Sequence, residues 1–234
     1  MPGSIELVDY MNKNNMPYCI ITNTISRTVD QMEQKIKDSG LNILKDSIIN
    51  PMLVLNNFIK ENGIKTYYFI GPDYLKELLV KSNDFEKEPE YVVFCDFEHI
   101  DCDYELLNKI FQYIKNGSKI ITTSYSNYYI SKNEYRMDTG IFVKMYELLT
   151  NKKVVIIGKP SNMIYKMALN KLKMEPKDII TIGDDGLTDI SGGKEIGIKT
   201  ILVKTGKYKE GDEKTFKPDN VINSLEEISK IIEI

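Results

Sequence analysis

At 234 residues the chain has room for one large domain or two modest ones. Acidic and basic residues are interspersed and the net charge is −3, which removes any electrostatic argument for a nucleic-acid partner or an anionic membrane surface. No apolar run approaches bilayer length, and the opening Met-Pro-Gly-Ser-Ile-Glu does not read as a signal peptide. Three cysteines with no metal-type spacing, Cys19, Cys95 and Cys102, suit a reducing, cytoplasmic setting; Cys19 and Cys95 sit in apolar runs and read as buried thiols. The one histidine, His99, cannot build a His-based metal cluster.

Residues 4–15 carry Ile5, Val8 and Met11 at helical spacing, with Ser4 as the expected cap. After Pro17, residues 18–22 read as a buried strand that ends in Thr22-Asn23-Thr24. A helix over 28–40 stops at Gly40, 47–49 is a short strand, and a helix over 51–62 ends at Gly63. A second series follows, with strands at 66–70, 91–95 and 119–123 and helices at 74–81 and 104–116. Thr123-Ser124-Tyr125-Ser126, followed by Tyr128 and Tyr129, reads as a strand-end loop with aromatic packing, or alternatively as a substrate-facing loop. Asp138-Thr139-Gly140 leads into a helix over 141–149. Residues 154–157 are a buried strand ending in Gly158-Lys159-Pro160, and Ser161 caps a helix over 163–172. A strand over 179–182, a helix over 189–196, a strand over 200–203 and an amphipathic helix over 224–232 complete the chain. This alternation predicts an α/β protein with a largely parallel sheet.

The stretch Ile-Ile-Thr-Ile-Gly-Asp-Asp-Gly-Leu-Thr-Asp-Ile, residues 179–190, organises the rest. An apolar strand breaks at Gly183 and sets Asp184, Asp185 and Asp189 on the following loop. Open α/β sheets place their chemistry at such carboxyl ends. Carboxylates so close repel one another unless a cation sits among them, and hard oxygen donors suit Mg²⁺ completed by water and phosphate. The plain alternative is a solvated acidic turn with an Asp capping the next helix. Alone, Lys159 reads as a solvated lysine and Thr22-Asn23-Thr24 as an ordinary turn. If the strands carrying them are neighbours of the acidic strand, a phosphate meets donors from Thr22 and Asn23, a cation at Lys159 and Mg²⁺ at Asp184.

Thr22-Asn23-Thr24, Gly158-Lys159-Pro160 and Gly183-Asp184-Asp185-Gly186-Leu187-Thr188-Asp189 resemble motifs two, three and four of the haloacid dehalogenase superfamily. The nearest branch holds p-nitrophenyl phosphatase-like and phosphoglycolate phosphatase-like enzymes with an inserted α/β cap. The resemblance implies a Rossmann-like core over 1–61 and 152–234 and a cap over 62–151 that closes over the crevice and selects the substrate. It implies Asp184 as a direct Mg²⁺ ligand and Asp189 as its support. Thr22, Asn23 and Thr24 would bind phosphate, and Lys159 would neutralise the phosphoryl charge. Branch members often dimerise through the cap, so the resemblance admits a homodimer, through an interface these residues do not define.

The family's first motif, D-x-D-G-T, is absent. Its first Asp forms the aspartyl-phosphate and its second is the general acid/base; Asp9 and Asp101-Cys102-Asp103 lie elsewhere in the expected fold. The family places the missing strand mid-sheet, so its neighbours would lose ladder partners. The expectation is a shortened form of a Mg²⁺-dependent phosphatase for small phosphorylated metabolites, with no turnover by the chain as it stands. A non-catalytic phosphate- and metal-binding pseudoenzyme is the alternative. A dinucleotide-binding oxidoreductase is set aside, because no G-x-G-x-x-G follows an expected strand.

Overall fold

A computed structural model of the chain describes residues 2–44, 46–98, 100–131 and 133–231, with residue 130 described by its backbone alone. His99 and the 232 end of the expected last helix lie outside these residues. In chain order the elements are α1 (Ser4–Lys13), β1 (Ile20–Ile21), α2 (Val29–Asp38), β2 (Ile48–Ile49), α3 (Pro51–Glu61), β3 (Tyr67–Ile70), α4 (Asp73–Lys76), β4 (Tyr91–Phe94), α5 (Tyr104–Asn116) and β5 (Lys119–Thr122). They continue with β6 (Tyr128–Ser131), β7 (Glu134–Met137), α6 (Thr139–Thr150), β8 (Val154–Ile156), α7 (Asn162–Leu172), β9 (Ile180–Gly183), α8 (Ser191–Glu195), β10 (Lys199–Val203), α9 (Asp212–Phe216) and β11 (Asn220–Ile222). The protein is therefore α/β, and every strand pair but one is parallel among the described residues. No helix among them is long and apolar enough to cross a membrane.

The chain divides into two compact units. The first comprises Met1–Thr22, Arg27–Ile49 and Lys159–Ile234, and the second Asn23–Ser26 and Asn50–Gly158. The second unit thus reaches beyond the expected 62–151 segment at both ends, taking in α3 and β8.

Unit 1 holds two parallel sheets, β1-β2 and β11-β10-β9. Ile201, Val203, Ile222, Leu225 and Ile228 form one core, and Val8, Met32, Ile43 and Ile48 another. Helix α1 serves both, with Leu7 packed on the first and Val8 inside the second. Ser4 does not cap it: Gly3 does, at φ 81°, where a Cβ would overlap the backbone of Leu225 and Glu226. Helix α2 starts at a reciprocal Thr28–Gln31 capping box. The terminal segment Leu225–Lys230 is a 3₁₀ helix, not the expected amphipathic α-helix. Leu225 and Ile228, three residues apart, share one face at three residues per turn. Cys19 is half-buried, not buried as expected, whereas Cys95 is buried and its thiol is pushed well up by that burial.

Unit 2 is built on a four-stranded parallel sheet, β3-β4-β5-β8, around Val92, Phe94, Ile110, Ile114, Ile120 and Tyr146. Strand β8 pairs with β5, while β1 pairs with β2 and β9 with β10. Among the described residues the three strands with polar ends are therefore not hydrogen-bonded to one another, so the condition set for them by the sequence is not met by direct pairing. Tyr128 and Tyr129 lie on strand β6 of an antiparallel hairpin with β7, not in a loop. Strand β7, Glu-Tyr-Arg-Met, alternates charged and apolar side chains over only four residues and is exposed on both faces, too short and too solvated a pattern to predict a strand.

Helix α6 is capped by Asp138, whose Oδ1 accepts from the Thr139 amide at 2.7 Å and whose Oδ2 accepts from Ser124 Oγ at 3.0 Å. Burial raises the Asp138 carboxyl above its ordinary 3.8, against the lowering effect of those hydrogen bonds. The folded protein then holds the proton more tightly than the unfolded chain, so stability falls as pH rises from 3.8 through the raised value. Asp138→Asn keeps a capping side chain and loses this slope. Thermal midpoints against pH should converge at low pH and favour the variant towards neutrality; parallel curves would refute the assignment.

Candidate functional site

In unit 1, Lys159 precedes α7, whose first turn is fixed by Ser161 Oγ accepting from the Met163 amide. Its ammonium donates to the Ile21 carbonyl at 3.3 Å and to Asp189 Oδ1 at 2.5 Å. Strand β1 bonds to β2 through the amides of Ile20 and Thr22, which donate to the carbonyls of Ser47 and Ile49. Backbone groups alternate in direction along a strand, so the Ile21 carbonyl points away from β2, and Lys159 meets β1 on that outer edge. The ion pair is nearly enclosed, with 13% of the Lys159 side chain and 11% of the Asp189 side chain exposed.

Strand β9 ends at Gly183, and the chain then makes a single π turn, Gly186–Ile190, that runs into α8; of the helix expected over 189–196, Ser191–Glu195 is α-helical and the first two residues belong to the π turn. Such turns often mark functional sites. Asp185 caps it, with Oδ1 accepting from the amides of Leu187 and Thr188, both at 3.0 Å. The Asp189 and Ile190 amides both donate to the Asp185 carbonyl, at 2.8 and 3.3 Å. Asp189 Oδ2 accepts from the Asp185 amide at 3.2 Å, and a Cβ at Gly183 would overlap that carboxylate. Both oxygens of Asp189 are thus engaged, one by Lys159 and one by the turn itself.

Asp184 lies one residue beyond Gly183, and its Oδ2 accepts from the Lys207 amide at 2.7 Å. The approach depends on Gly206, at φ 57°, where a Cβ would overlap Asp184 Oδ2. Lys207 Nζ stands 3.4 Å from Asp185 Oδ2 at the surface. Behind the turn, the fully buried Tyr165 donates from its hydroxyl to the carbonyls of Thr188 at 2.9 Å and Asp189 at 3.1 Å. Burial, then the charges of Asp189 and Asp185, push the Tyr165 phenol upward, so it stays a donor.

No three His, Cys, Asp or Glu side chains converge into a metal cluster among the described residues. The donor set nonetheless fits Mg²⁺, which takes one or two carboxylates and keeps its waters. Asp184 has only one oxygen engaged by a described residue, while Asp189 is engaged at both and suits a supporting role. Thr205 Oγ1, beside Gly206, is buried with no described hydrogen-bond partner.

Of the residues singled out from the sequence, Lys159 and Asp189 pair in unit 1, with Thr22 one residue beyond the carbonyl that Lys159 engages, while Asp184, in the same unit, meets the Lys207 amide. Asn23 and Thr24 belong to unit 2, where Asn23 Oδ1 lies against Gly158. Tyr128 and Tyr129 also belong to unit 2; Tyr128 meets Tyr135 edge-on at 5.3 Å between ring centroids. Tyr165 was not singled out, since a tyrosine on a helix reads as core, and its partners lie 23 and 24 residues away.

The model of the haloacid dehalogenase-like hydrolases matches residues 1–85, and a second, HAD-hydrolase-like model matches residues 156–228. A phospholysine phosphohistidine inorganic pyrophosphate phosphatase from Xenopus laevis is 28% identical over 228 residues, covering 95% of this chain and 83% of its own. An acid sugar phosphatase from Staphylococcus haemolyticus is 27% identical over 223 residues, covering 92% of this chain and 84% of its own. Among solved structures, p-nitrophenyl phosphatase from Archaeoglobus fulgidus superposes with a TM-score of 0.87 at 24% identity, over 99% of this chain and 92% of that one.

Proposed function

Because the chain belongs to the haloacid dehalogenase-like hydrolases, we propose that it lies in their p-nitrophenyl phosphatase branch and that its site serves Mg²⁺-dependent hydrolysis of small phosphomonoesters. The observation that carries this reading is the enclosed Lys159 ammonium, 2.5 Å from Asp189 on the turn that follows Asp184. Phosphoryl transfer needs chiefly positioning and charge neutralisation. Within unit 1, Lys159 offsets phosphoryl charge, Thr22 donates to phosphate oxygens, and Asp184 with Asp189 behind it would hold Mg²⁺; a phosphate role for Asn23 and Thr24 is proposed from resemblance alone. The ion, when bound, supplies the remaining positive charge. Unit 2, with Tyr128 and Tyr129, takes the part of a substrate-selecting cap. A homodimer is proposed from resemblance alone. The three unpaired cysteines accord with a reducing, cytoplasmic setting.

No D-x-D-G-T occurs among the 234 residues. The carboxylates of the turn are also committed: Asp185 to its cap, Asp189 to Lys159 and the Asp185 amide, and Asp184 to the Lys207 amide and the proposed metal. None is left to attack phosphorus, so the chain as it stands should not turn over. This commitment also favours the second reading, a phosphate- and metal-binding protein without chemistry.

The test is hydrolysis of p-nitrophenyl phosphate with and without Mg²⁺, beside Asp184→Asn, in this chain and in one extended upstream by a strand ending in D-x-D-G-T. The expected result is no turnover above the control in the first and Mg²⁺-dependent turnover in the second. Turnover by the unextended chain would refute the account of the nucleophile. Silence from the extended chain, with Mg²⁺ and orthophosphate still bound, would establish the second reading.

A further inference from the structure

We propose that Tyr165 is a positioning residue for the acidic turn, its hydroxyl fixing the backbone from which Asp189 reaches Lys159 and so setting the turn's affinity for its cation. The inference rests on the Mg²⁺ reading above. Lys159 holds the carboxylate of Asp189, and Tyr165 holds the carbonyls of Thr188 and Asp189 at 2.9 and 3.1 Å. Both come from the segment that runs into α7, so one rigid element grips the turn by its side chain and by its main chain. The tyrosine itself cannot swing away. It is 1% exposed, and its ring edge fills the space that a Cβ at Gly192 would need. A π turn leaves the regular helical spacing, so the direction of Asp189 is set by what clamps its backbone more than by the helix ladder. Partners that orient a metal-supporting group act on affinity without touching the ion.

Tyr165→Phe removes the donor and keeps the ring, so packing on Gly192 is retained. Two readouts test it on the full chain: Mn²⁺ binding by electron paramagnetic resonance, with Asp184→Asn as control, and amide hydrogen exchange of residues 185–191 without metal. The expected result is Mn²⁺ binding about tenfold weaker than in the parent protein, together with faster exchange confined to the turn. Unchanged Mn²⁺ affinity in Tyr165→Phe would overturn the proposal, whatever the exchange shows. If the parent protein and Asp184→Asn alike fail to bind Mn²⁺, the metal reading falls. The exchange data then decide the positioning role alone: acceleration at 185–191 sustains it, and unchanged rates remove it.

Discussion

Lys159→Met should cost about 3 kcal/mol of folding stability, read as a drop in the urea midpoint at constant slope. The substitution preserves the stem and deletes the charge. It leaves the Asp189 carboxylate, of which only 11% of the side chain is exposed, with the Asp185 amide as its remaining side-chain hydrogen bond among the described residues. It also removes the donor to the Ile21 carbonyl on the outer edge of β1. Breaking an enclosed pair by removing one partner costs about 3–5 kcal/mol, and the residual solvent contact here argues for the lower figure. Adding Asp189→Asn should recover part of the loss, because the stranded group is then neutral. That recovery separates the ion pair from the other lost contact: a double variant no more stable than Lys159→Met would place the cost in the lost donor to the Ile21 carbonyl. A loss below about 1 kcal/mol would put Lys159 among ordinary surface pairs.

The same residue shows where reading the sequence succeeds and where it stops. Caps are local chemistry, so Ser161 is read as a cap from a few residues and the structure places it as one, whereas the cap expected at Ser4 falls to Gly3. The acidic turn was legible because Gly183, Asp184, Asp185 and Asp189 sit within seven residues. Strand partnership is not local. Nothing in Val-Val-Ile distinguishes a strand that pairs with β5 from one beside β9, and the structure assigns it to β5. The π turn was also out of reach, since Gly-Leu-Thr-Asp-Ile suits an ordinary helix start as well. It is held both by Asp185 within the turn and, from outside, by Tyr165 on its carbonyls and Lys159 on its carboxylate. The hydrolase family, by contrast, was readable from three short motifs, because each motif carries its chemistry in adjacent residues.

Gly206→Ala should weaken Mn²⁺ binding by more than about tenfold while lowering stability by only about 1–2 kcal/mol. Two effects meet at this position. At φ 57° an alanine bears the left-handed strain that glycine avoids, and its Cβ would overlap Asp184 Oδ2. The carboxylate must then leave the Lys207 amide it now accepts from at 2.7 Å, and the proposed direct ligand turns away from the cation. Strain and overlap can be separated within the same protein. Gly197 also has positive φ, at 79°, but nothing lies within 4 Å of the Cβ it would gain. Gly197→Ala should therefore show a comparable loss of stability with Mn²⁺ affinity intact. If both variants lost affinity equally, general loosening of the unit would be the cause. If neither did, Asp184 would not be the residue through which this turn holds its cation, and the roles of Asp184 and Asp189 would have to be exchanged.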